Sequence, residues 1–286
     1  MGAPDLIDLH HQSERVVGCY LLETDDGLAL HDCGPTTCLP VLRAALADRG
    51  LELTDVRHLL LSHIHLDHAG ATGTIVREHP ELRVHVSEVG APHLVDPARL
   101  DASARRLYGD AFDILWGELA PVPAGNVEAV GARVAGLECF PSPGHASHHV
   151  CYLHEDGTLY AGDAAGVRIQ PGRYALPVCP PPDLDVEGWF HTFEEIERRR
   201  PERLALIHFG VAESPSEHLA LVRDGLTSWA ERGRQGLDEQ AWVAAARRDL
   251  EAAVGEDEAA VWERAAPLWQ SYAGMKRYWD KQSHAA

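Results

Sequence analysis

From about residue 16 to residue 210, short apolar runs alternate with stretches of helical spacing, the pattern of an α/β protein. Residues 16–23 and 27–32 read as two strands joined at Asp26-Gly27, a strong hairpin turn. Residues 39–49 have helical spacing and end at Arg49-Gly50. The run Arg57-His58-Leu59-Leu60-Leu61-Ser62 reads as a buried strand. A helix is predicted after Gly70, with Arg83-Val84-His85-Val86 as the next strand. Residues 91–126 break the rhythm. They are rich in Ala, Pro and Asp and read as irregular apart from a short helix near 98–108, a long segment of the kind that covers a site. Strands are predicted near 133–140, 149–154 and 158–162, then a loop to Pro182, an amphipathic helix over 185–199 and a strand over 203–208.

After Gly210 the period is helical throughout. Leu219, Val222, Leu226 and Trp229 keep helical spacing, as do Trp242, Ala246 and Leu250, and then Val261, Leu268, Tyr272 and Trp279. Pro267 is expected to divide the last helix. The chain therefore splits into a mixed region, 1–210, and a helical extension, 211–286, whose tryptophans are expected to anchor it to the first region. The alternative is that the extension forms a substrate wall or a homodimer contact.

Composition narrows the class. A chain of 286 residues, 45% of them hydrophobic, can bury a substantial core. Net charge is −19, and the only lysines are Lys276 and Lys281, which argues against a nucleic-acid partner. No Gly-Lys-Ser/Thr phosphate loop exists, and a lysine nucleophile has no candidate away from the C-terminus. Cys19, Cys33, Cys38, Cys139, Cys151 and Cys179 are scattered without a C-x-x-C pair and are expected to be reduced. No run has the length of a membrane helix, and the first residues lack the basic start and apolar stretch of a signal peptide, so a cytoplasmic location is expected.

The chemistry is concentrated in His63-Ile64-His65-Leu66-Asp67-His68, at the end of the buried strand. His63 and His65 are two apart, so on an extended backbone they point the same way and can share a metal. Asp67 and His68 follow where the chain turns, marked by Gly70 and Gly73, and can face back toward a second metal. A solvated His-rich loop is the bland alternative, and four ligand-type side chains at a strand end fit it poorly.

Ser62-His63-Ile64-His65-Leu66-Asp67-His68-Ala69-Gly70 resembles the signature of the metallo-β-lactamase-fold hydrolases. The further motifs of that superfamily follow in order. Pro143-Gly144-His145-Ala146-Ser147-His148-His149 resembles its P-G-H-x-x-x-H element, Leu159-Tyr160-Ala161-Gly162-Asp163 its strand ending in Gly-Asp, and Leu204-Ala205-Leu206-Ile207-His208 the strand bearing its last histidine. Upstream, Leu28-Ala29-Leu30-His31-Asp32-Cys33-Gly34 resembles its strand ending in Asp-x-Gly, with His31 where an aliphatic residue is usual. The resemblance implies a four-layer αββα sandwich. It implies that His63, His65 and His145 hold one metal, that Asp67, His68 and His208 hold the other, and that Asp163 bridges them. Asp67 and Asp163 are then the catalytic carboxylates, while Asp32 and His149 hold other groups in place. His31, His148, His191 and His218 receive no role.

Two Zn²⁺ ions are the expected cofactors, with iron or manganese as alternatives on the same donors. The implied reaction is metal-assisted hydrolysis of a small ester, thioester or lactone, with a phosphodiester less favoured. In the lactonases of this superfamily a tyrosine lies three residues beyond the bridging aspartate. Gly166 occupies that position here, and Tyr174 is the nearest candidate for the same space. The rival from another class is an iron oxygenase resembling the persulfide dioxygenases, which hold one iron through the equivalents of His63, His145 and Asp163. A non-catalytic binding protein is disfavoured, because no ligand of the motif has been lost.

Overall fold

The computed structural model describes residues 4–285. Two mixed sheets of six strands each face one another. The first runs in sequence order through β1 (Asp5–Asp8), β2 (Gly18–Thr24), β3 (Gly27–His31), β4 (Val56–Leu60), β5 (Arg83–Val86) and β6 (Val127–Ala129). The second contains β7 (Arg133–Val134), β8 (Leu137–Pro141), β9 (Val150–Leu153), β10 (Thr158–Gly162), β11 (Arg203–Leu206) and β12 (Gly210–Ala212). The helices of the main region are α1 (Leu39–Ala47), α2 (Leu66–Ala69), α3 (Thr72–Glu78), α4 (Ala91–Val95), α5 (Ala98–Tyr108), α6 (Phe112–Leu115) and α7 (Val186–Arg199). The extension consists of α8 (Pro215–Arg234), α9 (Glu239–Val254), α10 (Glu256–Ala265) and α11 (Leu268–Ala285). This is the four-layer αββα arrangement, with added C-terminal helices. No helix among the described residues is long and apolar enough to cross a membrane.

Strand direction gathers the chemistry at one edge. β3 and β4 are parallel, with His31 opposite Leu60, so Asp32 and Ser62 leave the first sheet side by side. β10 and β11 are also parallel, with Gly162 opposite Leu206, so Asp163 and His208 leave the second sheet at neighbouring points. The β8–β9 hairpin pairs Pro141 with Val150, and its loop carries His145 to the same edge. The Val150 N–H donates to the Ser62 carbonyl at 2.8 Å and ties the two sheets together there.

Tyrosines cross the interior. The Tyr20 hydroxyl of β2 donates to the Gly210 carbonyl at 2.9 Å, and the Tyr152 hydroxyl of β9 donates to the Leu61 carbonyl at 2.9 Å. A buried hydroxyl needs such a partner, and these two bond the sheets to each other. His31, fully buried, makes edge contacts with Tyr152 and Tyr160 at centroid distances of 5.7 and 5.4 Å. Burial holds its pKa below the usual value, so it serves as a neutral ring in the inter-sheet core.

Several boundaries differ from the sequence expectations. β1 and β12 are too short to carry a periodic signal. The strand predicted over 133–140 is a hairpin broken at Ala135 and Gly136, both at positive φ. Residues 91–126 hold three helices rather than one. They build a small core of their own, in which Ala104, Phe112 and Trp116 pack on Leu66 of the metal-type motif. Pro267 separates α10 from α11, and all six cysteines are free and buried.

Candidate metal centre

Three imidazoles converge first. His63 Nε2 lies 2.8 Å from His65 Nδ1 and 3.2 Å from His145 Nε2, and His65 Nδ1 lies 2.9 Å from His145 Nε2. For His63 and His145 the far side of the ring fixes which nitrogen carries the proton. His145 Nδ1 donates to the Val178 carbonyl at 2.8 Å. His63 Nδ1 donates to Ser62 Oγ at 2.9 Å, since that hydroxyl gives its own proton to Asp32 Oδ2 at 2.7 Å. The Nε2 atoms of His63 and His145 therefore turn lone pairs toward each other, an arrangement that a cation relieves.

Beside this triad lies a second group. His68 Nδ1 donates to Asp32 Oδ2 at 2.7 Å and His208 Nδ1 donates to the Val16 carbonyl, leaving Nε2 of each as an acceptor. His68 Nε2 is 3.4 Å from Asp163 Oδ1 and 3.8 Å from Asp67 Oδ2; His208 Nε2 is 3.5 and 3.4 Å from the same two oxygens. The other oxygen of Asp163, Oδ2, is 3.3 Å from His145 Nε2 in the first triad. Asp163 thus divides its oxygens between the groups. His68 Nε2, Asp163 Oδ1 and His208 Nε2 are buried without a hydrogen-bond partner among the described residues, a costly state without a ligand. Donor type, spacing and orphaned atoms all fit two adjacent divalent ions.

The electrostatics agree. Burial, then the neighbouring imidazoles, holds His63 and His65 well below the usual histidine range, which keeps them neutral and able to act as ligands. Burial alone would raise Asp163, but His68, His145 and His208 outweigh it and hold the carboxyl well below its usual range. Burial opposes protonation of His68, yet Asp163, Asp67 and Asp32 together raise its pKa well above normal. Positive charge is favoured at that position, supplied by a metal ion or, failing that, by a proton.

Backbone geometry aims these groups. Asp32 has φ 56°, a left-handed conformation that Asp tolerates, and its carboxylate reaches Ser62 N, Ser62 Oγ and His68 Nδ1, each at 2.7 Å. Gly162 has φ 48°, and a Cβ there would lie 2.5 Å from Ser62 Cβ and 2.7 Å from His149 Nε2, so only glycine lets the strand turn Asp163 inward. His149 accepts from the Asp163 backbone N–H at 3.1 Å and donates to Ser142 Oγ at 2.7 Å, which fixes the start of that turn. The structure brings together all seven ligand-type residues. Asp32 and His149 stand behind them. His208 lies beyond the end of β11, in the turn before β12, rather than on a strand reaching 208.

A cavity of about 640 Å³ opens over the cluster, with His65, Asp67, His145 and Asp163 in its floor. Both regions of the chain contribute to its walls. The C-terminal extension packs on the main region, and Arg264, Pro267, Trp269 and Gln270 also line the cavity. Tyr174 does not line it; its ring lies against Trp262 at 5.6 Å. Tyr108, which carried no motif, is the tyrosine that faces the cavity. Ser62 also went without a role in the sequence, although it relays Asp32 to His63, and its position within the motif was the available signal. His148 lines the cavity too, its ring stacked on His63 at 5.9 Å and its pKa pushed down to about 4 by burial.

The sequence matches the family described as the Metallo-beta-lactamase superfamily over residues 14–208, and the chain belongs to that superfamily. It is 26% identical to the uncharacterized protein YobT of Bacillus subtilis over 219 residues, 71% of this chain and 87% of that one. It is 30% identical over 155 residues to a hydroxyacylglutathione hydrolase of Rhizobium meliloti, 50% of this chain and 49% of that one. The crystal structure of the superfamily protein ST1585 from Sulfolobus tokodaii superposes with a TM-score of 0.66 at 16% identity, covering 96% of this chain and 97% of the other. Several other curated relatives are matched over less than two thirds of their own length.

Proposed function

We propose that the chain is a dinuclear metal-dependent hydrolase of a small ester, thioester or lactone. The carrying observation is Asp163, which turns one oxygen toward the His63/His65/His145 triad and the other toward His68 and His208. Divalent ions held by these donors would supply Lewis-acid chemistry that acidifies water and polarises a carbonyl. The chain's own residues do the rest. Asp32, Ser62, Val16 and Val178 hold the protons of His68, His63, His208 and His145 away from the centre, which keeps the ligand atoms free. Asp67 is ionised, held low by His68 and His208 against its burial, and it faces the cavity. There it accepts a hydrogen bond from the attacking water and directs a lone pair toward the substrate carbonyl. The apolar residues of the cavity wall displace water where a substrate covers them, which strengthens each of these interactions.

The name of the Rhizobium meliloti relative supports the thioester end of the substrate range. The grouping of Asp67, His68 and His208 at a second position favours two ions over the single iron of a persulfide dioxygenase. The test is a panel of small esters, thioesters and lactones with fully metallated protein. Hydrolysis of at least one class, lost in His145→Ala, is expected. Background rates throughout, or oxygen uptake with a thiol persulfide, would overturn the assignment.

A further inference from the structure

Helix α5 lays one continuous stripe along the cavity: Arg99, Leu100, Ser103, Ala104, Leu107 and Tyr108 all line it, the spacing of adjacent positions one turn apart. Leu66, Leu115 and Trp116 extend the apolar wall, and Trp269 meets it from α11. Leu107 and Trp269 are 43% and 39% exposed, so the apolar surface continues to the rim. A purely polar substrate would leave this surface uncovered.

Two guanidinium groups break the apolar character of the lining, Arg99 at the start of the stripe and Arg264 on α10. Arg99 has no hydrogen bond or ion pair among the described residues, and Arg264 donates only to Ser13 Oγ, at 3.1 Å. Nearby arginines are engaged: Arg105 by Asp101 and Asp113, Arg247 by Glu263, and Arg15 by Glu258. Away from the metal-type cluster, the acidic groups in the lining are Asp183 and Glu263. Glu263 accepts from Nε and Nη2 of Arg247, each at 2.6 Å, and Asp183 accepts the Ser147 hydroxyl at 2.6 Å. In a chain of net charge −19, two cations without a carboxylate partner in one cavity mark a place for an anion.

We propose that the substrate is an amphipathic anion: an ester or thioester with an apolar alkyl or aryl segment along the α5 stripe and a carboxylate that reaches Arg99 and Arg264. This rests on reading the cavity as the substrate site of the hydrolase. It adds a charge requirement and an apolar length requirement, both residing in residues outside the metal motifs.

Binding of non-reacting acids to the metal-loaded full chain, followed by calorimetry, tests it without turnover. Decanoate and decanedioate share one apolar length and one carboxylate for the metal-type cluster, so their difference isolates the second carboxylate. Decanedioate is expected to bind about five-fold more tightly. The double variant Arg99→Gln/Arg264→Gln, changed at exposed positions, is expected to bring the two affinities together. Butanedioate, without the apolar length, is expected to bind at least about ten-fold more weakly than decanedioate. Equal affinity for decanoate and decanedioate overturns the charge requirement, and a preference that survives in the double variant overturns the assignment to these arginines. Butanedioate binding as tightly as decanedioate overturns the apolar segment. None of these readings depends on hydrolysis, so a silent substrate panel and a failed binding test are separate results.

Discussion

The Asp32 carboxylate accepts the Nδ1 proton of His68 at 2.7 Å and, through the Ser62 hydroxyl, also fixes His63. One buried carboxylate therefore positions a histidine in each of the two ligand-type groups. Asp32→Asn replaces one accepting oxygen by a donor that faces the donors it should satisfy, while Asn still tolerates a positive φ. Metal affinity is expected to fall by about 10- to 100-fold with the fold retained. Chelator competition read by elemental analysis, alongside circular dichroism, checks this. Wild-type affinity in the variant would show that Asp32 does not orient these ligands.

Gln270 Nε2 donates to the Tyr108 hydroxyl at 2.8 Å, and Tyr108 also meets Trp269 edge-on at 6.4 Å. These contacts join α5 to α11 across the cavity. Gln270→Ala is expected to cost about 1 kcal/mol in the closure of that wall. Amide exchange over residues 98–108 should accelerate while β4 and β10 stay protected. Unchanged exchange in α5 would mean that the insert is held by its own small core alone.

His58 and His85 share a hydrogen bond of 2.9 Å between β4 and β5, and burial, then His58, pushes His85 down to about 4. The folded value lies below the ordinary one, so between about pH 6.5 and pH 4 the unfolded chain takes up a proton that the folded chain refuses. Stability from this group is complete above that window and is lost as pH falls through it. Urea unfolding at about pH 7 and about pH 4.5 should show a smaller loss in His85→Gln than in the wild type, by on the order of 2 kcal/mol. An identical loss in both would remove His85 as a source of acid sensitivity.

The layered α/β class and the residues that converge at the candidate metal centre were legible because they rest on local signals. Imidazoles spaced by two at the end of an apolar strand announce themselves, and Gly162-Asp163 and Gly144-His145 carry the turns that aim them. What stayed hidden depends on distant contacts. β1 pairs only because Leu6 and Ile7 find Tyr20 and Cys19, and β12 because Val211 finds Ala205. Ser62 looks like a strand end until Asp32 is placed 2.7 Å away. The α5 stripe was written in the sequence as a short helix, but nothing in its spacing says that the opposing wall comes from residues 264–270.

The central claim is two metal positions bridged by Asp163, and metal content per chain tests it most directly. Protein purified without added metal, measured by elemental mass spectrometry, is expected to carry about two divalent ions per chain. His208→Ala should reduce this to about one, because it removes a donor from one position and leaves His63, His65 and His145 intact. One iron per chain in the wild type, unchanged in His208→Ala, would contradict the dinuclear account.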